Sequence, residues 1–289
     1  MRILSFNEMC EFINIAISTS TIQSLKTPYA EIRPQLHCII AGDIGTLKSS
    51  LLYQVADHFD VGVEFNLNPA HLLGSVDKTT GAFNTPVIWD CRNSVMCVDE
   101  FECKKEGNTR QAVHTLLPLL ERAKINKRSG YRINGFKEED GDLYLIADNG
   151  KIKINTRFVY LATTMQDLWK PQRMIELEAL RTRCIILPYF PGLEELEKRI
   201  SGQLLFKPKR YKLKKNIRIP KPIYEKIVKM VKEKNVLPKF FVRTIGDVCR
   251  IFAVKKSLSD DTIKILLEMR EKSSTYRDNN KREREISHI

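Results

Sequence analysis

The sequence predicts an α/β fold built on a mainly parallel sheet, followed by a small helical unit. Three observations predict it. Short, continuously apolar runs are separated by segments of helical periodicity, which is the pattern of strands buried on both faces. A glycine-containing turn joins the first run to a helix, and a pair of carboxylates ends the second. Beyond about Gly202 only helical periodicity remains.

Residues 1–34 read as helical, with Met9, Phe12, Ile13 and Ile15 among the apolar positions, and run into a linker containing Pro28 and Pro34. Leu36-His37-Cys38-Ile39-Ile40-Ala41 is a short buried strand bounded by glycine. A helix begins near Lys48, with Leu51, Leu52 and Val55 on one face. Val95-Met96-Cys97-Val98 is a second buried strand, ending in Asp99-Glu100. Val113 to Arg122 reads as a helix interrupted by Pro118. Leu143–Ala147 and Lys151–Ile154 alternate across Asp148-Asn149-Gly150, a strong hairpin signal. Phe158–Ala162 and Cys184–Leu187 are the third and fourth buried strands, and Lys207 to Lys221 is a basic linker containing Pro208 and Pro220. Three helices follow, carrying Ile227 and Val231, then Ile245 and Val248, then Ile263 and Leu266 behind a cap at Asp260 or Asp261. The expected division is a core over 1–205, a helical unit over 206–275 and a basic polar tail over 276–289.

With 43% hydrophobic and 29% charged residues in 289, a largely disordered chain is excluded. No apolar run approaches the ~18 residues of a membrane span, and Glu8 interrupts the apolar residues that a signal peptide would need. The expectation is a cytoplasmic protein with no membrane partner. Cysteines 10, 38, 91, 97, 103, 184 and 249 form no CxxC pair and read as reduced core residues in a reducing compartment, not as zinc ligands. The net charge of +13 is uneven: Lys198 to Ile289 holds 26 Lys/Arg against 10 Asp/Glu, and the preceding residues hold 22 against 25. That asymmetry predicts a polyanionic partner for the last third, with lysines on a solvated surface as the plain alternative.

The chemistry concentrates in Gly42-Asp43-Ile44-Gly45-Thr46-Leu47-Lys48-Ser49-Ser50. A phosphate loop needs backbone N–H groups converging on anionic oxygens, a helix N-terminus behind them, and a lysine. Gly42 and Gly45 permit the tight wrap, Lys48 would reach the β- and γ-phosphates, and Ser49 would place its hydroxyl on Mg²⁺. Leu47 stands where the strict phosphate-loop pattern has glycine. Asp99-Glu100 lies at the carboxyl end of a buried strand, where ligands of α/β folds bind. There Asp99 would hold the metal shell and Glu100 would orient or deprotonate the attacking water.

These residues, in this order, resemble the minichromosome maintenance (MCM) replicative helicases, members of the AAA+ ATPases whose phosphate loop also lacks glycine before the lysine. Leu73-Gly74-Ser75-Val76-Asp77-Lys78-Thr79-Thr80-Gly81-Ala82-Phe83 is similar to the family's segment between its two nucleotide motifs, and Val95–Phe101 to its "CCIDEF". Ile154-Asn155-Thr156-Arg157 resembles "LNAR", Leu180-Arg181-Thr182-Arg183 falls where the family carries "LLSR", and Val242-Arg243-Thr244-Ile245 with Arg250 is similar to "VRQLE…R". The resemblance covers roughly residues 35–270. It implies an AAA+ phosphate-loop core with an inserted β-hairpin and a helical lid. It further implies MgATP hydrolysis, action on single-stranded or forked DNA in replication, and a homo-oligomeric ring, a hexamer in the family. Arg183, with Arg181 as competitor, would be an arginine finger and Arg243 the sensor 2 arginine, both reaching a neighbouring subunit's nucleotide. The hairpin at 131–157 would line the DNA channel, with Lys124, Lys127 and Arg128 before it, although Glu138-Glu139-Asp140 would repel phosphate.

The sequence departs from the family in three ways. The sensor 1 asparagine is absent, leaving Thr163, Thr164 or Met165, of which Thr164 is selected. About 40 residues precede the phosphate loop, too few for the family's N-terminal OB and zinc domain, and little follows the lid. The chain therefore reads as an ATPase core. Gly81-Ala82-Phe83 is superficially similar to the GAF loop of enhancer-binding activators, so a protein remodeller is one alternative. A nucleotide- and nucleic-acid-binding subunit with little catalysis is the other.

Overall fold

A computed structural model describes residues 2–271 apart from 66, 77–78, 80–82, 85, 103–107, 123–134, 140–141, 148–149, 155–156 and 169–171. Helix α1 (Phe6–Thr19) starts on a capping box in which Ser5 Oγ accepts from the Glu8 N–H and the Glu8 carboxylate accepts from the Ser5 N–H. The helix expected to reach residue 34 stops at Thr19, and two short antiparallel strands follow, β1 (Ser24–Lys26) and β2 (Glu31–Ile32). The cause is the run Ser18-Thr19-Ser20-Thr21. The hydroxyls of Ser18, Thr19 and Thr21 donate to the carbonyls of Asn14, Ala16 and Ser18. Such side chains offer the backbone an alternative to continued helix.

The chain then runs through β3 (His37–Ala41), α2 (Lys48–Phe59), β4 (Val63–Glu64), α3 (Pro69–Leu73), the paired β5 (Ser75–Val76) and β6 (Phe83–Asn84), α4 (Val87–Asp90), β7 (Val95–Val98) and α5 (Asn108–Arg122). Strands β8 (Gly135–Glu139), β9 (Asp142–Ala147) and β10 (Gly150–Ile154) form a separate antiparallel sheet. After them come β11 (Val159–Thr164), α6 (Ile175–Arg183), β12 (Cys184–Pro188) and α7 (Leu193–Ile200). The last elements are β13 (Asn216–Arg218), α8 (Lys221–Glu233), α9 (Pro238–Lys255) and α10 (Asp261–Arg270), with Asp260 capping α10 through the Thr262 N–H at 3.0 Å.

The result is a mixed α/β fold around a five-stranded parallel sheet of order β12-β3-β11-β7-β4. Strand alternation assigns each helix its face. Cys38, Ile40, Val95, Cys97, Val159 and Leu161 share one apolar cluster with α1, α2 and the C-terminal helices. Ile39, Met96, Val98, Tyr160 and Ala162 share the other with α5 and α6. The helix after β3 and the helix after its neighbour β11 thus lie on opposite faces, which opens a crevice at the carboxyl ends of these two strands.

The hairpin register runs from Gly150↔Ala147 to Ile154↔Leu143, and β8 adds a third strand to it, from Gly135↔Ile146 to Glu139↔Asp142. Asp148-Asn149, Lys124, Lys127, Arg128, Ser129, Gly130, Asp140, Asn155-Thr156, Gly81-Ala82 and the tail lie outside the described residues.

The expected basic linker is anchored along its length. Its β13 pairs in parallel with β1, the Lys209 and Tyr211 N–H groups donate to Asn14 Oδ1 and Ser18 Oγ at 2.8 Å, and Lys215 O accepts from Gln23 and Ser24. Ile217 and Ile219 turn inward while the lysines turn out, an alternation too short to stand out among prolines and lysines. Cys10, Cys38, Cys91, Cys97, Cys184 and Cys249 are buried and unbridged. Among the described residues no helix is long and apolar enough to cross a membrane.

Thr19 joins α1 to the sheet, since its buried Oγ1 accepts from the Leu36 N–H at 2.9 Å. Thr19→Val leaves that donor unsatisfied and is expected to destabilise the fold by about 1–3 kcal/mol, read as a lower urea midpoint at unchanged slope.

Candidate functional site

The segment from Gly42 to Leu47 connects β3 to α2 at the crevice. Gly42 donates to Thr164 O at 3.2 Å, and a Cβ on it would fall 2.1 Å from the Tyr189 carbonyl oxygen, so glycine alone fits. Gly45 has φ +76°. Leu47 is also left-handed, at φ 59° in the N-cap position of α2, and offers no capping side chain. The first-turn N–H groups of α2 are therefore left to an external acceptor, and the positive end of a 12-residue helix points into the loop. Asp43, Ile44 and Gly45 are exposed at its rim, and Ser50 is half-buried in the first turn.

The loop closes on Lys48. Its Nζ donates to Gly42 O at 2.9 Å, to Asp43 O, and to Thr46 Oγ1 at 3.0 Å, and the Thr46 hydroxyl in turn donates to Asp43 O at 2.8 Å. Lys48 is buried, and desolvation pulls its pKa below the ordinary lysine value although the nearby Asp43 and Asp99 charges push the other way.

Across the crevice, one oxygen of buried Asp99 collects donors from three segments. Ser49 Oγ donates to Asp99 Oδ1 at 3.0 Å, the Thr163 hydroxyl donates to the same atom, and the Glu100 N–H reaches both Asp99 Oδ1 and Thr163 Oγ1 at 3.0 Å. Glu100 sits at φ 50°, a left-handed conformation that non-glycine residues avoid, and its side chain is exposed. The Thr164 hydroxyl turns elsewhere, donating to Phe101 O at 2.7 Å. The threonine that touches the acidic pair is thus Thr163, where the sequence reading selected Thr164. Of the residues expected to cooperate, Lys48 meets the Gly42 carbonyl, and Ser49, Asp99 and the Glu100 backbone meet at one oxygen.

The two selected arginines lie elsewhere. Arg183 Nη2 and Arg243 Nη2 each contact a different oxygen of Glu121, both at 2.6 Å. Arg181 pairs with Glu178 at 3.1 Å instead, and Arg250 with Asp247 at 2.6 Å. Glu121 lies in the last turn of α5 next to Leu120, whose carbonyl meets His37 Nε2 at 3.2 Å. His37 is the first residue of β3 and Ala41 the last. The arginine pair therefore sits toward the amino end of β3, the end opposite the loop, and β3 spans about 13 Å between them. Sequence reading did not find Glu121, Tyr189 or Arg199. Arg199 belongs to α7, and its guanidinium donates to Thr46 O at 3.1 Å and Leu47 O at 2.8 Å. Nothing in the spacing of a lone arginine on an acidic helix signals such a contact.

No protein-family model matches the chain, and comparison with curated proteins finds no match.

Burial pushes the Glu121 carboxyl up, but hydrogen bonds and charges from Arg243 and Arg183 outweigh it and hold the carboxyl below its ordinary range. A depressed carboxyl contributes stability above its unfolded pKa of about 4.3 and loses it as pH falls through the folded value. Acid titration of the wild type is expected to show this loss below about pH 4.3, and Glu121→Gln is expected to remove that share of the pH dependence, as read by thermal melts across pH 3–7.

Proposed function

We propose that this chain is an AAA+ ATPase of the MCM type, an ATP-hydrolysing motor that acts on DNA as a ring oligomer. The observation that carries the reading is the convergence on Asp99. A serine from the first turn after the loop and a threonine from β11 donate to one oxygen of the carboxylate that follows β7, beside a lysine enclosed by the loop. The geometry fits the chemistry of Mg²⁺, a hard cation that prefers oxygen ligands and takes one or two from protein together with phosphate and water. Ser49 Oγ and Asp99 Oδ1 would hold it, and bound Mg²⁺ would neutralise charge developing on the phosphates.

The chain's own residues supply the rest. Lys48 exchanges its loop carbonyls for phosphate oxygens, and the amides of the first turn of α2 face the same anion. Glu100, with its side chain exposed, orients the attacking water and accepts its proton. Thr163 fixes Asp99 and the Glu100 backbone, the positioning expected of a residue in the place of the sensor 1 asparagine. Arg183 and Arg243, toward the amino ends of the strands, would serve a phosphate in another copy, which accords with a ring. Nucleotide-bridged assembly would require them to leave Glu121. That same engagement favours the second reading, a chain that binds nucleotide without turnover.

The deciding measurement is ATP hydrolysis with and without single-stranded or forked DNA. Turnover stimulated by DNA is expected, with at least a hundredfold loss in Lys48→Ala. Glu100→Gln is expected to lose on the order of 10²–10⁴ in turnover while retaining MgATP binding. Binding with no turnover in the wild type would establish the second reading.

DNA as the partner draws on the anchored segment from Lys207 to Lys221, in which Lys207, Lys209, Arg210, Lys212, Lys214, Lys215, Arg218 and Lys221 are exposed and no acid intervenes. Replacing Lys207, Lys212, Lys214 and Lys215 with glutamine is expected to weaken binding uniformly across DNA sequences. It should also flatten the dependence of log K on log salt by about 0.7–0.9 per lost phosphate contact. An unchanged slope would make them solvated surface charges.

A further inference from the structure

Arg199 is a buried guanidinium whose hydrogen bonds go to the loop itself. It is 8% exposed, and its Nη1 donates to Thr46 O at 3.1 Å and to the Tyr189 hydroxyl at 3.2 Å. Its Nη2 donates to Leu47 O at 2.8 Å. The guanidinium carbon stands 5.0 Å from the centre of the Phe6 ring and 5.8 Å from that of Tyr189. Tyr189 is held in turn, since its hydroxyl donates to Glu195 at 2.7 Å and its N–H to Ala41 O at 2.9 Å. Burial, with the Glu195 hydrogen bond, pushes the Tyr189 hydroxyl up, so the group stays protonated. Two aromatic faces and one braced phenol therefore aim the guanidinium at the loop.

The consequence follows from the planarity of the peptide unit. In a trans peptide the C=O and the following N–H point in opposite directions, and the described chain contains no cis bond. With the carbonyls of Thr46 and Leu47 turned to Arg199, the N–H groups of Leu47 and Lys48 are turned to the far side of the loop. Leu47 occupies a left-handed conformation, at φ 59°, which leucine adopts only when its surroundings impose it. The bidentate grip falls on the two peptide units that flank this residue. A planar guanidinium is suited to the task, because its fixed fork can hold two acceptors at once. Among the described residues no carboxylate pairs with Arg199 directly, and Glu195 reaches it only through the Tyr189 hydroxyl, so its charge is met first by the carbonyl dipoles of the loop. Anionic oxygens on the far side would meet both the amides and that charge.

We propose that Arg199 is a positioning residue of the phosphate loop. It fixes the 46–47 and 47–48 peptide units with their N–H groups toward the polyphosphate, without touching the ligand. This rests on the reading of the loop as a nucleotide site. It adds a link from α7 to that site, carried by Tyr189 and Phe6, which no motif in the sequence marks.

The test is equilibrium binding of MgATP, and of inorganic tripolyphosphate with Mg²⁺, to the full chain, at a temperature where circular dichroism shows each variant folded. Arg199→Met, close in size and apolar, is expected to weaken both ligands at least tenfold. Arg199→Lys, which keeps charge but not the fork, is expected to lie between Met and wild type. Tyr189→Phe, which removes one brace, is expected to weaken binding about threefold. A packing role predicts otherwise, with methionine tolerated better than lysine and affinities within twofold of wild type, and that result overturns the inference. Should Arg199→Met not fold, wild-type affinity in both Arg199→Lys and Tyr189→Phe overturns it equally. A wild type that binds neither ligand, or a Lys48→Ala variant that binds as well as wild type, removes the nucleotide reading itself and this inference with it. Binding that depends on Lys48 but not on Arg199 or Tyr189 removes this inference alone.

Discussion

One carboxylate oxygen organises the crevice. Asp99 Oδ1 accepts from Ser49, from Thr163 and from the Glu100 N–H, so α2, β11 and the turn after β7 meet at a single atom. Buried polar atoms need partners, and a buried anion needs more of them than a neutral group does. Three donors meet that demand and fix the separation of the first helical turn from the ends of the strands. The left-handed turn at Glu100 follows, because its N–H must reach back to Asp99 Oδ1 and Thr163 Oγ1 while its carboxylate faces out. The parallel sheet supplies the frame: only because β11 lies between β3 and β7 can Thr163 approach Asp99 from one side as Ser49 does from the other.

Strands buried on both faces are legible in sequence because nothing polar interrupts them, and Val95–Val98 is recovered to the residue. The ends of helices and the shortest strands are not. Helix α1 stops in a hydroxyl-rich run whose side chains compete with the backbone, while β1, β2 and β13 have three residues or fewer and expose no period. The choice between Thr163 and Thr164 illustrates a deeper limit. Adjacent strand residues point to opposite faces, so a shift of one residue exchanges them completely. The register that decides is the pairing of Ala162 with Val98, followed by the hydrogen bond from the Phe101 N–H to Thr163 O. No composition or spacing within 158–165 encodes it.

Arg183 and Arg243 pose a different kind of problem. Similarity to a motif assigns each a partner in a second copy, whereas within one chain both are engaged by Glu121. A carboxylate flanked by two guanidinium groups offers a pair of oxygens much as a phosphate does. Glu121 thereby keeps two long cationic side chains ordered and mutually close. It also joins α5, α6 and α9, elements from distant parts of the sequence, toward the end of β3 away from the loop.

The enclosure of Lys48 has a consequence for what the loop can distinguish. Its ammonium is already coordinated by two carbonyls and a hydroxyl of its own loop, so an incoming anion meets an internal competitor and not a bare charge. Net affinity is then a difference between acceptor sets. A halide offers a single acceptor atom and a lone carboxylate a pair of oxygens, too few to replace all three. A chain of linked phosphates can present several at once, while also engaging the helix terminus behind them. If the loop is the phosphate site proposed above, it selects by denticity, and abundant simple anions compete weakly for it.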